Sequence, residues 1–599
     1  MGSKRIIVDS SFPEETRVAF VNGTDIEHFE VDTSSSKKQL KGNIYLAKVG
    51  RVEPSLQAAF VDFGGNKQGF LPFNEINDDY FKIPESDKNN LLKENLNEDI
   101  VEDYYSVSKN KKSSSCNKIP KFKKYRIQEV IKKNQIMLIQ VVKDERGGKG
   151  ASLTTFLSLA GKYCVLMPNK PLGVKISKRI LNFEERKKLK KNVSNCNLPK
   201  EMGLIVRTAS KDCSEKDIKN DFDYVLGNWK TIKENTINSL APSLIHNDSN
   251  IVKKFIRDSN IEEYKEIMIE GRATYDNAKK YMKRLMPNQV KKIREYQNEK
   301  MPIMEYYELE EKISSIYDTK VNLKSGGYLI INPTEALTAI DINSGKSTKE
   351  RNVEETALKT NLEAVDEICR QIRIRNIAGL IIVDFIDMEV FKNRIFVERR
   401  LKDSLRYDRA KCQISKISRF GLLEISRQRI GPSLIETTME DTLISGIKCT
   451  LRSASSSVAK LFKKLEYLNI PKNVSEIHIL LYKTLEEYIA KNSKKFIKLI
   501  EKKLKIKIKL IKDNAIAPPF FIIKGIELNN KKRKTIIIYD DLPKSLDTEA
   551  NVEKNKLSPK TTKKKQLAKD PINKKPRSNI KKKDVDSNKN SPSTIQPSI

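Results

Sequence analysis

Apolar and polar positions alternate with a period of two from residue 4 to 31, which predicts short strands at Lys4–Val8, Thr16–Val21 and Ile26–Val31. Asn22-Gly23-Thr24, between the last two, is a hairpin signal. The pattern continues at Asn43–Val52, Ala58–Phe63 and Gln68–Pro72, punctuated by Gly64-Gly65, and predicts a small barrel of OB type. Residues 86–124 interrupt it; they are polar, contain Lys111-Lys112-Ser113-Ser114-Ser115, and read as a disordered insertion inside the barrel. The barrel pattern resumes at Tyr125–Lys143 and ends at Glu145-Arg146-Gly147-Gly148-Lys149-Gly150.

Further along, a strand at Gly203–Arg207 ends in Thr208, and residues 221–320 read as mostly helical and charged. Two apolar strands then each end in aspartate: one in Thr334–Gly345, carrying Asp341, the other in Leu380–Asp387, carrying Asp384. Between them Leu358, Leu362, Val365, Ile368 and Ile372 recur at the spacing of one buried helix face. Strand, helix, strand brings the two strands side by side through a right-handed crossover, so both aspartates are expected at one sheet edge. With the amide oxygen of Asn343 they make a hard, oxygen-only site suited to Mg²⁺, an ion that polarises a phosphate and activates water. A single aspartate at a strand end reads more simply as a solvated group; the pairing is what points to chemistry. After Gly431-Pro432 a connector leads to residues 452–527, which alternate helix and strand as a small α/β module. Beyond Tyr539 no aromatic residue remains and lysine, serine, proline and asparagine dominate, the composition of a disordered tail.

Charge sharpens this picture. The 599 residues carry 114 Lys+Arg against 78 Asp+Glu, a formal net charge of +36, which is the footprint of a polyanion binder. The bias toward lysine, isoleucine and asparagine is also what an AT-rich genome produces, so charge alone does not decide the partner. No apolar run reaches the roughly 18 residues of a membrane span, and Met1–Ile6 leads into a strand without a signal-peptide core. The seven cysteines form no C-x-x-C pair, which fits a reducing cytoplasm. The three histidines, His28, His246 and His478, lie far from the aspartates in sequence, so metal chemistry is favoured over a histidine-pair mechanism.

The segments Glu335–Ser344, Thr360–Ala364, Val383–Met388, Ser418–Glu424 and Ser426–Arg429 together resemble the ribonuclease E/G family, in colinear order across about residues 1–527. The resemblance implies an Mg²⁺-dependent endoribonuclease that cuts single-stranded, A/U-rich RNA and leaves a 5′-phosphate and a 3′-hydroxyl, acting in mRNA decay and in rRNA and tRNA processing. It implies a DNase I-like catalytic domain with Asp341 and Asp384 as metal ligands and Asn343 in support. Phe60 and Phe70 match the family's base-stacking aromatics and Lys149 a phosphate contact. Gly161, Val165, Arg207 and Thr208 match its pocket for an RNA 5′-monophosphate. Taken alone, two barrel phenylalanines read as core and an Arg-Thr pair as a surface feature. Two rivals stand beside this reading: a non-catalytic RNA-binding regulator on the same scaffold, and a DNA-cutting enzyme of the same metal chemistry.

The implied architecture is multidomain, mixed α/β and β. It comprises an RNase H-like domain without catalytic acids (1–38 and 221–318), an OB-fold domain (39–150) inserted into it, and a 5′-sensor (151–220). The catalytic domain (319–430), a connector (431–451), the small domain (452–527) and a basic tail (528–599) follow. The C-P-x-C zinc-link of the family is absent between Gly431 and Cys449, so zinc is not expected. A homo-oligomer, a dimer or a dimer of dimers, would then rest on apolar packing by Leu434, Ile435, Leu443 and Ile444 or on the small domain. The expected location is cytoplasmic, with basic segments such as Lys531-Lys532-Arg533-Lys534 suited to RNA or to peripheral contact with the acidic inner membrane.

Overall fold

A computed structural model of the chain describes residues 3–541 apart from 13, 34–39, 84–124, 146–148, 181, 195, 212, 249, 299–300, 346–352, 407, 445–446, 469, 472, 514 and 530–531. The expected insertion at 86–124 and the tail beyond 541 therefore lie outside the described residues. The first three strands, Lys4–Asp9, Glu15–Asn22 and Asp25–Thr33, form the antiparallel meander that their alternation predicts. Gly23 takes the left-handed backbone (φ +64°) that closes the hairpin. Two further strands, Glu266–Glu270 and Ile293–Glu295, extend this sheet in parallel on the other side of Lys4–Asp9. The stretch 221–320 is thus not simply helical, and it also supplies Ser243–His246, which pairs with Ile44–Glu53. These strands escape sequence reading because they are short and isolated among charged helices. Glu266–Glu270, covered on both faces, shows no clean alternation.

The β-rich segment closes into a five-stranded barrel of Ile44–Glu53, Ala58–Asp62, Gly69–Pro72, Ser152–Thr154 and Ile136–Lys143. Closure comes from Ile136–Lys143, which pairs with both Ser152–Thr154 and Ile44–Glu53, and it is consistent with an OB fold. Val49, Val61, Phe63, Leu71, Ile139 and Leu153 fill its interior. A four-stranded sheet follows, in the order Gly173–Ile176, Gly203–Val206, Cys164–Met167, Leu159–Ala160, backed by the long helix Glu215–Ile237.

The aspartate segment forms a six-stranded mixed sheet. Leu337–Asn343 and Gly379–Asp384 lie parallel at its centre, joined through the helix Val353–Ile374. That helix buries Ala357, Asn361, Ala364, Val365, Ile368 and Ile372 against Ile340, Ile381 and Val383, each large aliphatic side chain contributing roughly 1.5–3 kcal/mol. Leu358 and Leu362, expected on this face, sit at its margin, half-buried.

Past this sheet, the helix Leu434–Thr438 leads into the hairpin Met439–Ile444 and Ile447–Arg452. Leu434 is buried inside the chain with Ile7, Phe29 and Ile374, which removes it from the surface expected to pair two copies. The small domain has the strand order Lys507–Lys512, Val474–Leu481, Phe521–Asn529, Lys532–Asp540. Its last strand corrects the sequence boundary: Lys532–Asp540, assigned to the basic tail, pairs along its length with Phe521–Asn529. Ile536 and Ile538, which pack half-buried against the domain core, follow the basic run Lys531–Lys534 that disguised the strand in the sequence.

A buried ion cluster ties this domain to the first sheet. Lys463 Nζ lies 2.8 Å from Asp9 and 3.3 Å from Glu15, and Arg17 reaches both Asp9 (2.6 Å) and Glu310 (3.0 Å). Asp9 and Glu270 are register partners at neighbouring strand ends. Ammonium and guanidinium groups already saturate Asp9. Burial opposes ionisation of Asp9, but Lys463 and Arg17 overcome it and hold its carboxyl far below the ordinary range. Its stabilising effect is therefore present above about pH 4 and lost as the pH falls further. Lys463→Ala should lose about 3–5 kcal/mol at pH 7, the cost of a stranded buried charge, and less at pH 3; urea unfolding at the two pH values checks this.

Candidate active site

Asp341 and Asp384 are direct register partners on the two parallel central strands, which puts both carboxylates at one sheet edge. Both side chains are exposed. The amide nitrogen of Asn343 donates to Asp341 Oδ2 at 2.7 Å, so Asn343 orients that carboxylate, where sequence reading had its oxygen facing the ion. Beyond the second strand the chain turns through Phe385–Met388. The wholly buried Asn361 fixes this turn by donating to the Ile386 carbonyl (2.8 Å) and accepting from its N–H (3.1 Å). Asp387, carried by the same turn, adds a third charge beside the pair. Partial burial and then the Asp341 and Asp387 charges hold the Asp384 carboxyl above its ordinary value.

A carboxyl pKa raised by burial and then by neighbouring negative charge is one that a cation lowers again. The donors are all oxygen, and no cage of three or more acidic, histidine or cysteine ligands occurs among the described residues. Two carboxylates with room for water and phosphate oxygens suit Mg²⁺, which keeps much of its hydration, better than Ca²⁺, which wants a fuller shell. Gly421 closes the other side. A Cβ on it would lie 3.3 Å from Asp387 Oδ1 and 3.7 Å from Asp384 Oδ1, and its φ of +77° favours glycine.

The barrel presents a separate surface. Phe60 and Phe70 are cross-strand partners with ring centroids 5.9 Å apart, and both are half-buried, so neither belongs to the barrel core. The Arg51 guanidinium lies 4.5 Å over the Phe60 ring. Lys149 is exposed next to Gly150, where a Cβ would strike the Gln68 carbonyl at 2.0 Å; glycine lets this segment run against the strand that carries Phe70. Two aromatic faces flanked by cations suit unpaired bases and phosphates.

Gly161, Val165, Arg207 and Thr208 gather on the four-stranded sheet. Val165 pairs with Ile205, and Arg207 donates to the Gly161 carbonyl at 2.7 Å. The other arm of Arg207 meets Asp258 at 2.8 Å, and Thr208 is exposed beside it. The Asp258 carboxyl is held below its ordinary value; burial opposes this, and Arg257 and then Arg207 outweigh it. Sequence reading had no signal for Asp258, which lies 51 residues away and whose role depends on folding alone. Gly161 is enforced by packing: a Cβ would fall 2.4 Å from Asp221 Oδ2, and Asp221 caps the backbone N–H groups of Lys162, Tyr163 and Cys164.

A mixed α/β protein with a closed barrel and a carboxylate pair on adjacent parallel strands is the class that these features define. The Ribonuclease E/G family profile matches residues 158–430. Ribonuclease E of Haemophilus influenzae is 38% identical over 520 residues, covering 87% of this chain and 52% of that protein. A putative ribonuclease E of Buchnera aphidicola subsp. Baizongia pistaciae is 40% identical over 432 residues, 72% of this chain and 96% of that protein. Ribonuclease G of Escherichia coli K12 is 33% identical over 423 residues, 70% of this chain and 79% of that protein. The chain belongs to the ribonuclease E/G family. It spans about half the length of the ribonuclease E relatives from H. influenzae and E. coli.

The charge crowding predicts a stability effect. Because the folded-state pKa of Asp384 is raised, its ionised form destabilises the metal-free fold above that pKa and has no effect where it is protonated. In EDTA, Asp384→Asn should therefore melt above wild type at pH 7 and together with it at about pH 3. Scanning calorimetry reads this directly, and equal melting at pH 7 would remove the repulsion from the argument.

Proposed function

We propose that this chain is an endoribonuclease that hydrolyses single-stranded, A/U-rich RNA at the Asp341–Asp384 site. The observation that carries the reading is the register pairing of these two aspartates in a member of this family. When bound there, Mg²⁺ supplies Lewis-acid polarisation of the scissile phosphate and a more acidic water. Asp341 and Asp384 hold the ion; Asn343 keeps the Asp341 carboxylate turned toward it; Asn361 and Gly421 keep the second carboxylate on its own side. Cleavage on this plan leaves a 5′-phosphate and a 3′-hydroxyl. The reading takes the barrel as the family's OB-fold RNA-binding domain, the first sheet as RNase H-like and the aspartate sheet as DNase I-like. Phe60 and Phe70 would stack unpaired bases, with Lys149 and Arg51 on the backbone. A carboxylate pair aimed at phosphate is of no use to a pure RNA binder, which disfavours the regulator reading.

The Arg207 pocket fits a 5′-monophosphate. The arginine is already oriented by Gly161 and Asp258, and an incoming phosphate competes with Asp258 for the guanidinium fork. mRNA decay and rRNA and tRNA processing are the roles that such an activity serves. The missing C-P-x-C motif leads us to propose an oligomer that forms without shared zinc, in the cytoplasm or peripherally at its membrane. No helix among the described residues is long and apolar enough to cross a membrane.

Asp341→Asn should abolish cleavage of a labelled single-stranded oligoribonucleotide while leaving its binding, read by filter retention, nearly intact. EDTA should do the same to wild type, and Mg²⁺ should restore it. Cleavage in EDTA, or an active Asp341→Asn, would exclude the two-aspartate site.

Arg207→Ala should slow cleavage of 5′-monophosphate RNA about ten- to a hundredfold, toward the rate on 5′-hydroxyl RNA, which itself should change little; loss of a charge-assisted contact sets that scale. Paired rates on the two RNAs check it. A wild type indifferent to the 5′ end would remove the pocket.

A further inference from the structure

Gly421 ends the motif Ser418-Arg419-Phe420-Gly421, which leads into the strand Leu422–Arg427 and whose first three residues have so far no part in the chemistry. The motif is a rigid turn. The Ser418 N–H donates to the Leu422 carbonyl at 2.8 Å, and Ser418 Oγ accepts from the N–H groups of Phe420 (3.3 Å) and Leu422 (3.2 Å). The Gly421 N–H returns to the Ser418 carbonyl, and the Gly421 carbonyl accepts from Phe385 N–H at 3.2 Å, so the turn is pinned to the segment directly after Asp384. Leu422 is the register partner of Asp384 itself. Gly421 therefore faces the carboxylates, and the residue before it stands at the rim of the site.

That residue is Phe420, and its side chain is 83% exposed. A phenyl ring held in water by a fixed turn gains little from folding, because it buries little apolar area in this chain. Arg419 beside it is exposed as well. An aromatic face and a cation, side by side at the edge of a phosphate-directed site, match one nucleotide of a single strand: a base for the ring and a backbone phosphate for the guanidinium.

We propose that Phe420 is a positioning residue that stacks on an unpaired base flanking the scissile phosphate, and that this stack selects which bond of a single strand is cut. The inference rests on the endoribonuclease reading above. It is separate from the Phe60–Phe70 surface, which belongs to the barrel. It also gives a reason for single-strand preference at the site of cutting, since a base held in a duplex cannot offer its face to the ring.

The test uses full-length wild type, Phe420→Ala and Phe420→Trp with Mg²⁺. The substrates are a 5′-monophosphorylated A/U-rich oligoribonucleotide and a series in which one base at a time around the main cut is replaced by an abasic nucleotide. In wild type, one flanking abasic position should lower kcat/KM roughly tenfold, the effect of losing one base–aromatic stack. Phe420→Ala should be slowed by a similar factor on the intact strand, should lose its sensitivity to that abasic position, and should spread its cuts over neighbouring bonds. Phe420→Trp should restore both rate and position. Two results overturn the proposal: Phe420→Ala cutting at wild-type rate and positions, or Phe420→Ala slowed alike on every member of the series while keeping the abasic response. If wild type leaves the intact strand uncut, the endoribonuclease reading fails and takes this inference with it. That outcome is recognisable because it precedes any substitution.

Discussion

Mutual repulsion between two carboxylates is the constraint around which this molecule is arranged. Asp341 and Asp384 sit on adjacent parallel strands in direct register, and Asp387 adds a third charge from the following turn. Left to themselves such groups separate or take up a proton. They stay together because each is attached to backbone that cannot move. The strands are held by ladder hydrogen bonds and by the aliphatic layer under the Val353–Ile374 helix. The turn is held by Asn361, an amide buried at the helix face that bonds both the N–H and the carbonyl of Ile386. Hydrophobic packing thus stabilises an electrostatic arrangement that would not persist in isolation.

A complementary logic holds in the Arg207 region. There the central group is a guanidinium, and the fold supplies Asp258 to accompany it. The two regions are opposite in sign and alike in principle: each charged group is held in place by the backbone and the side chains around it. On the barrel the same economy applies to apolar groups, since Phe60 and Phe70 are half-buried beside Arg51, neither in the core nor free of the fold.

Sequence made the central elements legible for definite reasons. The meander, the barrel strands and the strand–helix–strand around the aspartates all have one dry and one wet face, or an aliphatic run ending in a charge, and these leave a period that can be read. The strand Glu266–Glu270 has no such contrast, and Lys532–Asp540 is disguised by its charged flanks, so both were misplaced. Among site residues, Asp341 and Asp384 were legible because one connection unites them. Asp258, Arg51 and the orienting role of Asn343 were not, because they depend on packing between segments distant in sequence or on which way an amide faces. Leu434 misled for the opposite reason: an apolar residue in a connector looks available until the fold covers it.

The Asp9–Lys463 contact joins residues 454 positions apart. On a ribosome the two are therefore made at different times, separated by roughly 20–90 s at ordinary elongation rates. Throughout that interval Arg17 is the cation that their own segment sets beside Asp9 and Glu15. The meander is synthesised well before the small domain, yet it reaches its final electrostatic state only when that domain has emerged. Translation that stops short of Lys463 yields a chain whose first sheet lacks both the cover of the small domain and one of the counter-ions of Asp9. Truncated products are thereby marked as unstable at their opposite end, far from the point where synthesis failed.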